Sequence, residues 1–354
     1  MKHGRSLTSL AEELTRQLNS KRDLVVPATQ FAHHTDLLGV SKVTINEPQA
    51  PVDYLVNPVA RRQLAEKLKI PFNYFERMRV EEPQLLDHNV NTWLHAGGES
   101  YLMRTLDRRL RAVLSKRYRR IDNFQVADRV IPILDQLPGA TFTSVELTET
   151  RMYLKVVSRK IEHEIVPGDV VQAGVVVSNS EVGCGRLWVQ PLVYRLKCGN
   201  GMIAVDQRLA KTHLGRLLEA SEDTFVVFQD DTLRAEDEAL LLAVRDAVQA
   251  AVSEATLSLL ADKMRKTLGI PLRGDPAKSV EVLADRFALS GLEQTGILRF
   301  LVSGGSLTGY GLLNAVTDFS KDVEDYDRAT ELEMLGGRLI EMSPTEWNGI
   351  ADAA

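Results

Sequence analysis

The spacing of apolar residues changes near residue 205, and this change constrains the fold more than any other feature of the chain. Before it, apolar and polar residues alternate in several short segments, a pattern typical of antiparallel strands with one covered face. After it, apolar residues recur every three or four positions, which indicates helices. We therefore predict an α+β fold, with an antiparallel, sheet-rich domain over residues 1–204 and a mainly α-helical domain over residues 205–354.

Several elements follow from the local patterns. Antiparallel strand pairs are predicted for 101–107 with 110–115, 141–148 with 152–157, and 170–179 with 186–196. Helices are predicted over 6–20 and from an Asn57-Pro58 start, and Pro132 predicts a kink or break in a helix over 123–137. The later predicted helices cover about 206–220, 233–267, 276–288, 290–302 and 306–340, and the long segment 233–267 would protrude or form a helical hairpin.

The composition argues against several classes of protein. Two cysteines, Cys184 and Cys198, are too few for a disulfide scaffold, which fits a reducing cytoplasm. The first residues lack the apolar run of a signal peptide, and no stretch approaches the roughly 18 apolar residues of a membrane span. A net charge of −5 excludes a uniformly basic coat, but not a local basic patch. We expect a cytoplasmic protein without a membrane partner.

One such patch lies between residues 104 and 120, which we call the basic segment. It contains eight lysines and arginines and a single acid, Asp107, within 17 residues. A hairpin with this charge would present cations to phosphates, and a tyrosine within it would offer a ring to a base. The candidate nucleic-acid-binding residues are Arg104, Arg108, Arg109, Arg111, Lys116, Arg117, Tyr118, Arg119 and Arg120.

The same residues have a second interpretation. The arginines would then lie on a solvated strand face, or pair with acids of the helical domain or of a neighbouring subunit. Residues 318–354 offer such acids, with ten aspartates and glutamates against three lysines and arginines. These acids would form an ordinary solvated helix face, or cover the basic segment and compete with nucleic acid.

Three separated motifs resemble a known family. They are residues 111–123 (RAVLSKRYRRIDN), residues 177–183 (VSNSEVG) with 194–202 (YRLKCGNGM), and residues 310–317 (YGLLNAVT). Together they resemble the phage- and plasmid-associated proteins grouped as domain of unknown function 932, over roughly residues 30 to 340. The resemblance implies a protein of a prophage or another mobile element. It implies no activity and no catalytic residues.

Other residues give weaker signals. Cys198 would need a histidine base to act as a nucleophile, and no nucleophile motif surrounds it. His33 and His34 with Asp36 form the one metal-like cluster in the sequence, but adjacent histidines on a strand point to opposite faces. Trp188 lies in a strand pattern that favours packing over base stacking. We assign no catalytic residue, cofactor or metal, and expect a binding protein rather than an enzyme.

The leading hypothesis is an accessory protein of a phage or plasmid that binds single-stranded DNA through the basic segment, as a homo-oligomer, in recombination, annealing or DNA protection. The alternative is an oligomeric interaction protein, such as an inhibitor of host defence, that binds no nucleic acid. An enzyme would need a carboxylate cluster assembled from distant positions, for example Asp122 with Glu146 or Glu149.

Overall fold

The computed structural model describes residues 1–118, 120–204 and 230–353. The strands are β1 (Arg22–Pro27), β2 (Phe31–Thr35), β3 (Ser41–Asn46), β4 (Pro51–Val56), β5 (Ser100–Leu106), β6 (Arg109–Ser115), β7 (Ala140–Leu147), β8 (Met152–Val166), β9 (Asp169–Asn179), β10 (Trp188–Arg195) and β11 (Asn200–Ile203). The helices are α1 (Leu7–Ser20), α2 (Pro58–Lys67), α3 (Phe72–Glu81), α4 (Pro83–Gly97), α5 (Asn123–Asp135), α6 (Asp230–Ala251), α7 (Glu254–Leu268), α8 (Pro276–Phe287), α9 (Gly291–Gly304), α10 (Gly309–Phe319), α11 (Tyr326–Leu339) and α12 (Pro344–Ala351). The predicted α+β class is confirmed.

The first sheet has the strand order β1-β5-β6-β4-β3-β2. Its neighbouring strands are antiparallel, except that β4 and β6 run parallel. A parallel pair requires a crossover connection, and here the crossover is α2, α3 and α4 followed by β5. These helices pack on the sheet around buried side chains such as Phe31, Leu64, Phe75 and Leu86. β5 and β6, which contain the first part of the basic segment, are interior strands of this sheet.

The second sheet is an antiparallel meander with the order β11-β10-β9-β8-β7. Successive residues of β8 point to opposite faces, and both faces are covered. Leu154 and Val156 belong to the same apolar cluster as residues of α6 and α7, whereas Tyr153 packs against Tyr326 of α11. Burial on both faces explains why the strands of this sheet are rich in valine.

The helices after residue 204 complete the core of the second sheet. The last described strand, β11, ends at Ile203, and the described residues 230–353 form the helices α6 to α12, which continue the apolar packing. One cluster joins Val175 of β9 to Leu260 of α7 and Leu313 of α10. None of the described helices carries an apolar stretch that would reach across a bilayer.

Several predicted helices have different bounds in the structure. The predicted helix 233–267 is two helices, α6 and α7, separated at Val252 and Ser253, where the Ser253 side chain caps α7. The predicted helix 306–340 is likewise two helices, α10 and α11. Pro132 lies inside α5 and does not end it. The predicted helix 206–220 lies outside the described residues.

Candidate nucleic-acid interface

The basic segment forms β5, β6 and the loop that follows, as the sequence predicted. Asp107 and Arg108 make a two-residue turn in which both φ angles are positive, 50° and 56°. Positive φ at both positions defines a type I′ turn, whose twist matches that of the flanking strands. The turn leaves Arg108 and Arg109 exposed at one end of the hairpin. Asp107 is engaged by Arg16 of α1, at 2.9 Å.

A β-bulge decides where two of the arginines lie. Thr105 stands opposite Leu110, but Arg104 stands opposite Ala112, so Arg111 is the extra residue of β6. An unbroken register would place Arg104 directly opposite Arg111, and like charges in that position destabilise a sheet. The bulge moves them out of direct opposition. Both residues are buried, with only 4% and 9% of their surface exposed.

Three carboxylates surround these two arginines. Asp23 accepts a hydrogen bond from Nε of Arg104 at 2.9 Å, and Asp122 accepts one from Nη2 at 2.5 Å. Glu181 accepts from Nη1 of Arg111 at 2.7 Å, and its backbone carbonyl accepts from Arg104 at 2.7 Å. We call these five residues the inner ion-pair cluster. It connects the first sheet to the start of α5 and to the loop after β9.

Burial and hydrogen bonding act in opposite directions on these groups. Burial lowers the pKa of Arg104, but the hydrogen bonds to Asp23 and Asp122 more than offset it and raise the pKa above its ordinary value. Burial raises the pKa of the Asp122 carboxyl, whereas Lys21 and Arg104 hold it below its usual range. Buried charges are tolerated when they are paired in this way. Arg104 and Arg111 therefore stabilise the fold and do not face solvent.

The residues after β6 form a loop over positions 116–120, which we call the basic loop. Lys116, Arg117 and Arg120 are exposed. Arg120 reaches the rim of the inner ion-pair cluster, where it lies 3.4 Å from Asp23 with 54% of its side chain exposed. Arg119 lies outside the described residues.

Tyr118 holds the basic loop in place. Its ring is half-buried against an apolar cluster that includes Leu114 and Val182, and its hydroxyl donates to the Ser180 carbonyl at 3.3 Å. Burial raises the pKa of this hydroxyl. Packing therefore occupies part of the ring.

The eight candidate residues that the structure describes do not form one continuous groove. β5 and β6 are each seven residues long, so the turn and the basic loop are about 20 Å apart. Arg108 and Arg109 lie at one end, and the basic loop begins at the other. The buried Arg104 and Arg111 lie between them. A strand of nucleic acid would meet the two exposed groups as separate patches.

The motifs that resemble domain of unknown function 932 meet in space. Asn179 donates to the Ile121 carbonyl at 3.0 Å and to Asn123 at 2.8 Å, so the first motif contacts the second. Asn200 donates to Thr317 at 2.6 Å, so the second motif contacts the third. No protein-family model, curated protein or solved structure matches the chain. The resemblance stays a prediction that rests on these motifs.

The histidine pair has a different partner from the one in the sequence prediction. His33 is buried and His34 is exposed, because adjacent residues of β2 point to opposite faces. Both rings approach Asp87 of α4, at 2.8 and 3.4 Å, while Asp36 accepts from backbone amides in its own turn. Within the described residues, no three histidine, cysteine or acidic side chains converge as a metal site would require.

The remaining candidates are engaged in ordinary packing and pairing. Burial raises the pKa of both thiols, Cys184 and Cys198, which makes them weaker nucleophiles. Asp122 is paired with Arg104 and Lys21, and Glu146 with Arg5. These contacts give the two carboxylates structural partners.

The acidic residues of 318–354 pair with groups other than the arginines of β5 and β6. Asp322 contacts Arg299 at 2.6 Å within the helical half of the chain, whereas Glu333 of α11 contacts the buried Lys155 of β8 at 2.6 Å. The acids that neutralise Arg104 and Arg111 come from β1, from the start of α5 and from the loop after β9. For these two arginines, the second interpretation anticipated ion pairing, but it expected the acids in the helical domain or in a neighbouring subunit.

The sequence prediction missed a pair of exposed aromatic side chains on the helices of the first sheet. Trp93 of α4 is 61% exposed and Tyr74 of α3 is 47% exposed. The sequence pattern gave no signal for Trp93. It lies seven residues after Leu86 and three after Val90, so helical spacing alone would place it with the buried residues of α4.

Proposed function

We propose that this protein binds single-stranded nucleic acid, in particular single-stranded DNA, through the basic loop. It would act as an accessory protein of a phage or plasmid in recombination, annealing or protection of DNA. The observation that carries the proposal is a difference in exposure. Lys116, Arg117 and Arg120 are exposed, whereas Arg104 and Arg111 of the same segment are buried against acids. A homo-oligomer would repeat this loop along the strand and extend the contact.

The chemistry of the basic loop suits a phosphate backbone. Lysine and arginine release counterions from the strand when they bind phosphates, so affinity falls as salt rises. Each phosphate contact contributes about −0.7 to the logarithmic salt slope for a single strand. Three contacts from one loop therefore give a slope of about −2. The inner ion-pair cluster supports this role by fixing the strands from which the loop projects.

The test is fluorescence anisotropy with a labelled oligo-dT strand and a duplex of equal length, across a salt series. The variant Lys116→Ala/Arg117→Ala/Arg120→Ala should bind the single strand more weakly and show a flatter salt slope. A matched control is Lys278→Ala/Arg299→Ala, which removes exposed cations from α8 and α9. Absence of binding by the unmodified protein at low salt would overturn the proposal and favour a protein partner.

A further inference from the structure

A cleft lies between α3 and α4, beside the first sheet. Its volume is about 570 Å³, which is within the range of small-ligand sites. Tyr74 of α3 and Trp93 of α4 line it, and the segment between α2 and α3 contributes Lys67 and Lys69. Tyr101, at the start of β5, also lines it. We call this the aromatic cleft.

The two aromatic rings are exposed although their helices have well-filled apolar faces. Phe75 and Met78 of α3 point into the core of the first sheet, and so do Leu86 and Val90 of α4. Tyr74 and Trp93 do not belong to that core, since 47% and 61% of their surfaces are exposed. Exposed apolar side chains that line one cleft together are more informative than singly exposed ones. Two such rings lining one cleft form a surface on which flat, apolar groups can stack.

The cations of the cleft indicate what kind of flat group it accepts. Lys69 is exposed, and Lys67 is half-buried with its Nζ 5.3 Å from the centre of the Tyr101 ring. In the part of the chain that the structure describes, neither lysine has a carboxylate within ion-pair distance. The one acid that lines the cleft, Glu99, accepts a hydrogen bond from Tyr101. A ligand that combines a flat ring with an anion satisfies both features.

The aromatic cleft opens at the same end of the hairpin as the basic loop. Tyr101 is the cross-strand partner of Ser115, and Lys116 and Arg117 come directly after Ser115. Cross-strand partners have Cα atoms about 5 Å apart. Tyr101 packs on the face covered by α2–α4 and Tyr118 on the other face, so a strand with phosphates at the basic loop reaches the cleft by passing round this end of the hairpin.

We infer that the aromatic cleft is a stacking site for unpaired bases of the strand that the basic loop holds by its phosphates. The inference rests on the proposed function and adds base contacts to it. Stacking on aromatic rings does not depend on sequence, because every base has a flat face. A duplex keeps its bases stacked on one another, so the cleft would also explain a preference for single strands.

The experiment compares a labelled oligo-dT strand with an abasic strand of equal length, which keeps the phosphates and lacks the bases. Trp93→Ala should lose about 10-fold in affinity for oligo-dT and nothing for the abasic strand. Trp93→Phe keeps a ring and should stay close to the unmodified protein. Leu292→Ala, which removes an exposed apolar side chain on α9, is the control for a general surface effect. Trp93 is exposed, so these variants leave the core intact.

Tryptophan emission gives a second readout. Oligo-dT should quench the emission of the unmodified protein, and Trp93→Phe should abolish the quenching although Trp188 and Trp347 remain. Equal binding of intact and abasic strands, with Trp93→Ala unchanged, would overturn the stacking site while the proposed function stands. If the unmodified protein binds neither strand, the proposed function and the stacking site both fall.

Discussion

The middle of the β5–β6 hairpin and its two ends have opposite surroundings. Arg104 and Arg111 are buried against three carboxylates, whereas the turn and the basic loop project into solvent. In the sequence, lysines and arginines occur along the whole basic segment, with Asp107 as its single acid. What separates the two groups is strand geometry, because a bulge at Arg111 brings both inner arginines to acids on one face. A run of cations in a sequence therefore does not by itself predict that all of them are exposed on one surface.

The largest effect should come from removing an inner arginine. Arg104→Ala leaves Asp23 and Asp122 without their shared partner, and breaking a buried ion pair in this way costs about 3–5 kcal/mol. Denaturation by urea would measure the loss of unfolding free energy. Arg109→Ala, at the exposed end of the same hairpin, should change it by less than about 0.5 kcal/mol. Similar losses of unfolding free energy for both variants would show that the middle and the ends of the hairpin contribute equally to stability.

The pairing of Arg111 with Glu181 can be measured separately. A double-mutant cycle of Arg111→Met and Glu181→Gln should give a coupling energy of about 1–3 kcal/mol, because both side chains are buried and 2.7 Å apart. A coupling near zero would mean that Glu181 acts only through its contact with the Asn123 amide.

Acid should weaken the inner ion-pair cluster and leave the exposed ends unaffected. The pKa of Asp122 is lower in the folded protein than the ordinary value of 3.8 for an aspartate. Its contribution is therefore complete above that value and is lost as the pH falls through the folded pKa. Asp122→Asn keeps a helix-capping residue but loses the charge. Its deficit in unfolding free energy should be largest near neutral pH and shrink toward pH 2.

The control for that titration is Asp128→Asn, which changes an exposed carboxyl on α5. Its unfolding free energy should follow that of the unmodified protein at every pH. A deficit of Asp122→Asn that stays constant down to pH 2 would show that the charge of Asp122 is not what stabilises the cluster.

The smallest effect should come from the turn. Arg108 has a φ of 56°, which is unfavourable for a side chain with a Cβ, and Asp-Gly is a preferred type I′ pair. Arg108→Gly should raise the unfolding free energy by about 0.5–1 kcal/mol. Because the basic loop is at the other end, the affinity for oligo-dT should not change. A loss of affinity for oligo-dT would indicate that the turn is part of the interface.

Local patterns were enough to predict the hairpin, the α+β class and the charge of the basic segment. They did not predict the bulge or the partners of the inner arginines. Asp23 is 81 residues from Arg104, and Glu181 is 70 residues from Arg111. Such pairings depend on how distant elements pack, which periodicity does not encode. Trp93 shows the same limit, since its spacing from Leu86 and Val90 predicts burial, although 61% of its surface is exposed.

The parallel pairing of β4 with β6 has a consequence for the order in which the first sheet assembles. The β5–β6 hairpin closes a two-residue turn, whereas β4 reaches β6 only after α2, α3 and α4 have been spanned. Closing a longer loop costs more chain entropy, and distant contacts form more slowly. The hairpin therefore forms early, with its cations still hydrated, and Arg104 gains Asp23 when β1 docks. The docking of β1 is then a neutralisation, so its rate should depend on ionic strength.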